Sequence, residues 1–273
     1  MDKISDKHIK LLEDQGFCLI ENFFSADEIK HFKELKPSGN IRFCLEKLPE
    51  LKPFAEDVIH ELRPFYKNLF FNRSIFFNKT PDKNWAVLWH QDHTISVKEK
   101  TEIEGYDPWS IKEGIPHVQP PEEILKEMVT VRIHIDSNDE NNGALKVIPR
   151  SHKKGVLNRD NIQQLSQNEY IHTCNCPSGS ILLMKPLIFL MVPLLRILLD
   201  FWLLFLDSVP FECYFTNLFA DNIEFFRDPG SSFWFNSWSM RSLSLSLKDR
   251  EFCSDGPRLC FLFLSVYPLK FLI

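Results

Sequence analysis

Several short stretches between residues 70 and 185 have the pattern of β-strands separated by turn residues. The clearest is 129–136, Val-Thr-Val-Arg-Ile-His-Ile-Asp, in which side chains alternate as they do in a strand with one inward face. The turn sequence Asn-Asp-Glu-Asn-Asn-Gly at 138–143 then precedes a return strand at 144–148. Short strands at this spacing are typical of antiparallel sandwiches and barrels. The sequence therefore predicts a mainly β domain.

Helical patterns precede the strands. Three helices are predicted, at 5–14, from Ser25 onward, and over 53–68 with an interruption or kink at Pro64. Ser5 is suited to cap the first helix, and Gly16 suits the left-handed residue that ends it. Ser25 and Glu28 form the capping-box signature of the second. We interpret residues 1–69 as a helical scaffold, because their apolar residues are spaced as faces that pack on a core.

Composition and termini restrict the class of protein. A net charge of −5 over 273 residues gives no support for nucleic acid as a partner. Seven cysteines, an odd number at irregular spacings, do not form a disulfide framework, which favours a reducing compartment. The N-terminus has no apolar signal region, and the C-terminal Phe-Leu-Ile differs from the peroxisomal Ser-Lys-Leu. We therefore expect a cytoplasmic protein.

The sequence His90-Gln-Asp92 is the strongest chemical signal. In an extended strand, residues two apart point to the same side, so this imidazole and carboxylate would face one point. They are two of the three ligands of the facial triad that binds non-haem Fe(II). A second pair with the same spacing, His134 and Asp136, is interpreted as structural or as cavity lining.

Residues 99–127 are predicted to form a long loop, because Gly105, Pro108, Gly114, Pro116 and a Pro-Pro pair interrupt them. Loops of this length in compact domains are usually functional or disordered. Its position directly after the His-Gln-Asp sequence favours a lid or a substrate-binding loop.

Four segments in order carry a resemblance to a known family. They are FNKTPDKNWAVLWHQDHTISV, HVQPPEEILKEMVTVRIHID, NGALKVIPRSH and GSILLMKPL. Together they resemble the phytanoyl-CoA dioxygenase family over about residues 8–187. The resemblance implies a mainly β fold with N-terminal helices, built on a double-stranded β-helix of the jelly-roll or cupin-like kind. The barrel is expected to be incomplete at its C-terminal end.

The resemblance also implies an activity and its cofactors. Family members are Fe(II)- and 2-oxoglutarate-dependent dioxygenases, which use molecular oxygen to hydroxylate a small or lipid-like molecule. His90 and Asp92 match the family's metal ligands and are the expected catalytic and metal-binding residues. The cosubstrate is a dianion and needs a positively charged binding site, for which Arg132 is the first candidate and Lys79 the second.

The chain departs from the family pattern after residue 187. The family has a histidine shortly after the segment that here reads LLMKPL, and an arginine about one strand later. In this chain the segment continues Ile-Phe-Leu-Met, and no histidine follows His172. The composition also changes, since 188–273 holds 14 of the 25 phenylalanines. We therefore predict an oxygenase-like domain at 1–187, with barrel strands from 70 to 187, an apolar non-family tail at 188–273, and impaired activity.

Two alternatives follow from the same departure. The first is a non-catalytic remnant of the fold that serves as a binding protein. The second is a membrane-anchored protein, because 187–206 is long and apolar enough to span a bilayer. Pro193, Arg196 and Asp200 interrupt that segment, so the membrane interpretation is less favoured.

Overall fold

The computed structural model describes residues 3–35, 39–66, 69–80, 83–194 and 259–268. All of them belong to one compact unit, made of Met1–Arg196 and Pro257–Ile273. The helices are α1 Asp6–Gln15, α2 Ala26–Glu34, α3 Cys44–Lys47, α4 Lys52–Leu62, α5 Glu122–Glu127 and α6 Arg159–Asn168, with short 3₁₀ turns at Pro49–Leu51 and Ser151–Lys154.

The first two helices begin where the caps predict. Ser5 is the N-cap of α1, and Gly16 ends that helix with a φ of 86°. The Ser25 backbone N–H donates to the Glu28 carboxylate at 2.7 Å, and the Glu28 N–H donates to the Ser25 hydroxyl at 3.3 Å. The predicted third helix was too long. It ends at Leu62 in α4, because a proline two residues later cannot continue the backbone hydrogen-bond pattern.

Six antiparallel strands form the larger sheet, in the spatial order β1-β11-β8-β13-β3-β2. Their ranges are β1 Phe17–Ile20, β11 Ile181–Met184, β8 Val129–His134, β13 Leu259–Pro268, β3 Leu69–Lys79 and β2 Ile41–Arg42. Strand β13 pairs with β8 on one side and with β3 on the other. A segment from the end of the chain therefore supplies an interior strand of this sheet.

Four further strands form the smaller sheet, in the order β10-β9-β12-β4. Their ranges are β10 His172–Cys174, β9 Leu145–Ile148, β12 Phe189–Val192 and β4 Val87–His90. The segment 99–127, predicted as a loop, is instead largely ordered. It contains α5 and a hairpin that joins a three-stranded sheet of β5 Ile95–Ser96, β7 Ile115–Val118 and β6 Trp109–Lys112.

The two larger sheets face each other across an apolar interior. The outer face of the six-stranded sheet contributes Val131, Ile133 and Leu264 to a core shared with the N-terminal helices. A second cluster fills the space between the sheets and includes Leu182 from β11 and Leu190 from β12. This mainly β arrangement with helices packed outside confirms the predicted jelly-roll fold class.

Residues beyond 187 take part in both sheets, through β12 and β13. The predicted boundary between domain and tail at 187/188 stays a prediction, since most of the tail lies outside the described residues. Among the residues that the structure does describe, no helix is long and apolar enough to cross a membrane. Of the segment 187–206, the part from residue 195 onward lies outside them.

Candidate functional site

His90 is the last residue of β4, and its neighbour across the sheet is Leu190 of β12. Residues directly opposite each other in an antiparallel pair present their side chains on the same face. Leu190 belongs to the cluster between the sheets, so His90 also faces the interior. The Nδ1 atom of His90 lies 2.7 Å from the Leu88 carbonyl oxygen. When Nδ1–H donates to that carbonyl, Nε2 keeps its lone pair and can act as a ligand.

The residue between the predicted ligands, Gln91, anchors this segment. Its side chain is buried and donates from Nε2 to the carbonyls of Gly155 at 2.9 Å and Leu187 at 2.6 Å. Its Oε1 accepts from the backbone N–H of Leu157 at 2.8 Å. The Asp92 N–H donates to the Pro186 carbonyl at 3.1 Å. Sequence reasoning missed this role, for which the only signal is the position of Gln91 between the two predicted ligands.

Asp92 lies among basic side chains. Burial lowers the pKa of Arg73 and of Lys112, and the negative charge of Asp92 opposes both shifts. Burial also lowers the pKa of His93, which keeps that imidazole neutral near pH 7. The predicted metal pair therefore stands at the edge of a positively charged region that the sequence pattern did not reveal.

The third metal ligand is missing from the described residues, among which no group of three His, Cys, Asp or Glu side chains could hold a metal ion. At the position opposite His90, Leu190 offers no donor atom. The second His-x-Asp pair does not converge, since Asp136 pairs with Lys33 at 3.2 Å while His134 is buried in the sheet. The donor set present thus does not fit the iron centre that the family resemblance implies.

Both residues predicted to hold the cosubstrate lie on the six-stranded sheet and face its interior. Arg132 on β8 is 2% exposed and lies opposite Leu182 of the interior cluster. Lys79, the last residue of β3, is fully buried, donates to the Pro193 carbonyl and stands 5.5 Å above the Trp85 ring. Burial and the positive charge of Arg132 lower the pKa of Lys79 to about 8.

His134 extends this basic group. It lies two residues from Arg132 on β8 and is fully buried. Burial, and then the charge of Arg132, hold the pKa of His134 well below its usual value, so the ring is neutral. We call Lys79 and Arg132 the inner basic pair. Two positive side chains inside a sheet sandwich, where little water screens them, are suited to bind an anion.

Two surface cavities of about 390 Å³ lie elsewhere. One is lined by residues of α6 and the preceding turn, and the other by side chains of 100–109, including Tyr106 and Trp109. None of the four predicted site residues lines either cavity. The second cavity belongs to the segment predicted as a lid, and that role stays a prediction.

Comparisons with known proteins agree with this architecture. The model of the phytanoyl-CoA dioxygenase family matches residues 45–189, which is more than half of the chain. No curated protein matches.

Several solved structures share the fold. EctD from S. alaskensis with bound Fe is 13% identical with a TM-score of 0.57, over 98% of this chain and 78% of that one. HygX from Streptomyces hygroscopicus with nickel and 2-oxoglutarate bound is 12% identical with a TM-score of 0.54, over 98% and 88%. The non-heme alpha-ketoglutarate-dependent carbocyclase SnoK from nogalamycin biosynthesis is 10% identical with a TM-score of 0.54, over 97% and 84%. At these identities the likeness establishes the fold, and together with the family match it shows that this chain belongs to the phytanoyl-CoA dioxygenase family of iron- and 2-oxoglutarate-dependent oxygenases.

Proposed function

We propose that this chain is an impaired member of its family. Its interior binds a dicarboxylate such as 2-oxoglutarate, but no third side chain among the described residues completes a site that holds Fe(II) firmly. The weakened activity is the hydroxylation of a small or lipid-like molecule with molecular oxygen. The observation that carries the proposal is the pairing of Leu190 with His90 across β12 and β4.

The pairing supports position 190 as the one that lacks a ligand. Directly opposite residues have Cβ atoms about 4.5–5.5 Å apart, close enough for two imidazoles to share one metal ion. A histidine at position 190 would complete such a set with His90 and Asp92, whereas leucine offers no donor. Loss of a side chain that only orients a ligand already costs about 10–100-fold in metal affinity. Loss of a ligand itself is expected to cost at least as much.

The inner basic pair supports the cosubstrate half of the proposal. Arg132 can bind a carboxylate through two parallel hydrogen bonds, and Lys79 adds a second positive charge. Both side chains are buried, so little water competes for the carboxylate and the electrostatic attraction is strong. A bound dianion would also relieve the repulsion between the two cations.

Metal binding tests the proposal. The wild-type protein, Leu190→His and Met191→His are titrated with Mn(II), a redox-stable stand-in for Fe(II), by isothermal titration calorimetry. We expect Leu190→His to bind at least about 10-fold more tightly than the wild type. Met191 pairs with Lys146 and is adjacent along the strand, so its side chain points to the opposite face and the variant serves as a matched control. Equal affinities of all three proteins would refute the proposal.

The burial of the inner basic pair favours a second candidate function, metal-independent binding of a dicarboxylate. In that case, 2-oxoglutarate binds the wild-type protein equally well in the presence of Mn(II) and of a chelator. Lys79→Met and Arg132→Met should each weaken that binding by about 10-fold or more, because each removes a charged hydrogen bond. A strict requirement for metal would exclude this function.

A further inference from the structure

A second group of basic side chains lies near Asp92, apart from the inner basic pair. It consists of Arg42 on β2, Arg73 on β3 and Lys112 at the end of β6, and we call it the outer basic cluster. Burial lowers the pKa of Lys112, and the positive charges of Arg73 and Arg42 lower it further. Burial likewise lowers the pKa of the neighbouring His117, and the charges of all three cations add to that shift. Arg42 lies opposite Ile75, two residues from Arg73, and its Nε is 3.4 Å from the carboxylate of Glu113, the neighbour of Lys112, so the three cations lie close together.

Strand geometry separates this cluster from the inner basic pair. Arg73, Ile75 and Lys79 alternate along β3, and Ile75 belongs to the cluster between the sheets, so all three face inward. Arg42 pairs with Ile75 and shares that face. Six residues of strand separate Arg73 from Lys79, a distance of about 20 Å. Lys79 therefore lies at the far end of this inward face from the outer basic cluster, and Arg132 lies between them, level with Ile75 through Phe263 of β13.

Several contacts bring the outer basic cluster together. Asn72, next to Arg73, donates to the Ser96 carbonyl at 2.8 Å and accepts from the Ser96 N–H at 3.1 Å, which joins β3 to β5. Ser96 pairs with His117 of β7, the strand whose hairpin partner carries Lys112. The ring of Phe43 lies 6.3 Å from the ring of His117 and adds an aromatic surface.

Carboxylates near the cluster are shared between cations. Glu113 is shared by Arg42 at 3.4 Å and Lys47 at 3.2 Å, so one carboxylate serves two cations. Asp92 is another carboxylate near the cluster, and its charge acts on both Arg73 and Lys112. The side chain of Lys112 is half-buried, and its ammonium has no hydrogen bond or ion pair with any described residue. A partly desolvated ammonium without a partner favours an added anion.

We propose that the outer basic cluster binds the carboxylate or phosphate group of the small molecule on which this protein acts. The cluster would hold that anionic group beside Asp92, while the inner basic pair holds the dicarboxylate cosubstrate. The inference that this ligand is a substrate rests on the proposed function. The existence of the anion site does not depend on it, since no metal ion takes part.

Binding of small aromatic probes tests the site. Benzoate, phenyl phosphate and uncharged benzyl alcohol are titrated into the full chain in the presence of a chelator, with affinity measured by ligand-observed NMR. We expect both anions to bind at least 10-fold more tightly than the alcohol, because a charge-assisted hydrogen bond contributes about that much. The tighter of the two anions identifies the natural group as carboxylate or phosphate.

Variants locate the site. Lys112→Met should weaken binding of the preferred anion by about 10-fold, and Arg73→Met should do so as well. Lys98→Met removes an exposed lysine and is the matched control, with no change expected. Saturating 2-oxoglutarate should leave probe binding in place, since Lys79, which holds it, lies six residues along β3 from Arg73. A thermal melt of each variant confirms that it is folded.

Three results would overturn the inference: equal binding of the anions and the alcohol, unchanged affinity in a folded Lys112→Met variant, or full displacement of the probe by 2-oxoglutarate. The proposed function is judged separately, through metal binding by Leu190→His. If that variant gains no affinity for metal while the probes behave as expected, the anion site stands and the proposed function fails.

Discussion

Gln91 offers a direct test of how the fold positions the predicted metal pair. Its side chain is 6% exposed and makes three hydrogen bonds to backbone groups, at 2.9, 2.6 and 2.8 Å. These bonds join the end of β4 to Gly155 and Leu157 on one segment and to Leu187 on another. Replacing Gln91 by methionine keeps the length of the side chain and removes all three bonds.

The expected loss of stability follows from the groups left behind. A buried backbone group without a partner costs about 1–3 kcal/mol. The Leu157 N–H is partly buried and can recover water, so the lower end of that range applies to it. For the three groups together, we expect Gln91→Met to lower the free energy of unfolding by about 3–7 kcal/mol. The free energy of unfolding of a domain is typically about 5–15 kcal/mol, so the expected loss is a large fraction of the total stability.

Urea unfolding followed by tryptophan fluorescence measures the change. Trp89 stacks on Phe189 with ring centroids 4.9 Å apart, so it reports on the same region. Gln164→Met on the exposed face of α6 is the matched control, and its effect should stay within about 0.5 kcal/mol. A loss below about 1 kcal/mol for Gln91→Met would show that these bonds do not hold the segment in place.

Two further predictions concern Lys79 and Arg150. Because the pKa of Lys79 is lowered to about 8, its positive charge is lost as the pH rises through that value. Affinity for 2-oxoglutarate, measured by calorimetry, should therefore fall between about pH 7 and pH 9. In Lys79→Met the affinity should no longer depend on pH over this range. A wild-type affinity that does not change with pH would contradict this prediction. Arg150 has a φ of 65°, a left-handed conformation that costs a non-glycine residue about 1–2 kcal/mol. When Arg150 is removed, Asp14 still has its ion pair with Lys153 at 2.7 Å. Arg150→Gly should thus raise the melting temperature by about 2–4 °C, and a fall would show that the exposed ion pair with Asp14 outweighs the strain.

Local signals in the sequence predicted the elements whose determinants are local. Ser5, Ser25 and Glu28 mark the starts of α1 and α2, because a cap is made by residues within one helical turn. Alternation predicted β8 for a similar reason, since the side-chain period of a strand is visible in six residues.

The hairpin of β6 and β7 was missed because its turn carries a weak signal. Glu113 and Gly114 have φ values of 51° and 80°, as a two-residue hairpin turn requires. Asparagine or aspartate before glycine is the usual signature of such a turn, and glutamate is not. Prolines at 108 and 116 also suggested an irregular loop, although Pro116 lies within β7, where its carbonyl accepts a hydrogen bond from the Val97 N–H at 3.0 Å.

In the candidate site too, the features set by neighbouring residues could be predicted, and those formed by distant segments could not. The pair His90 and Asp92 could be predicted because both residues lie in one short segment. The outer basic cluster could not, since Arg73 and Lys112 come from distant segments that only the folded sheets bring together. Register across β12 and β4 was likewise invisible, because a bulge between Leu190 and Val192 shifts the pairing.

The fold and the metal site place different demands on β12. Strand pairing with β9 and β4 requires an extended backbone and an apolar side chain between the sheets, and Leu190 satisfies both. The proposed metal site would need a nitrogen atom at that same position, which leucine cannot supply. A sequence that departs from its family at this point can therefore keep the jelly roll while losing the chemistry. The reverse change, Leu190→His, exchanges buried apolar surface for a polar ring, so the gain in metal affinity should come with lower stability of the metal-free protein.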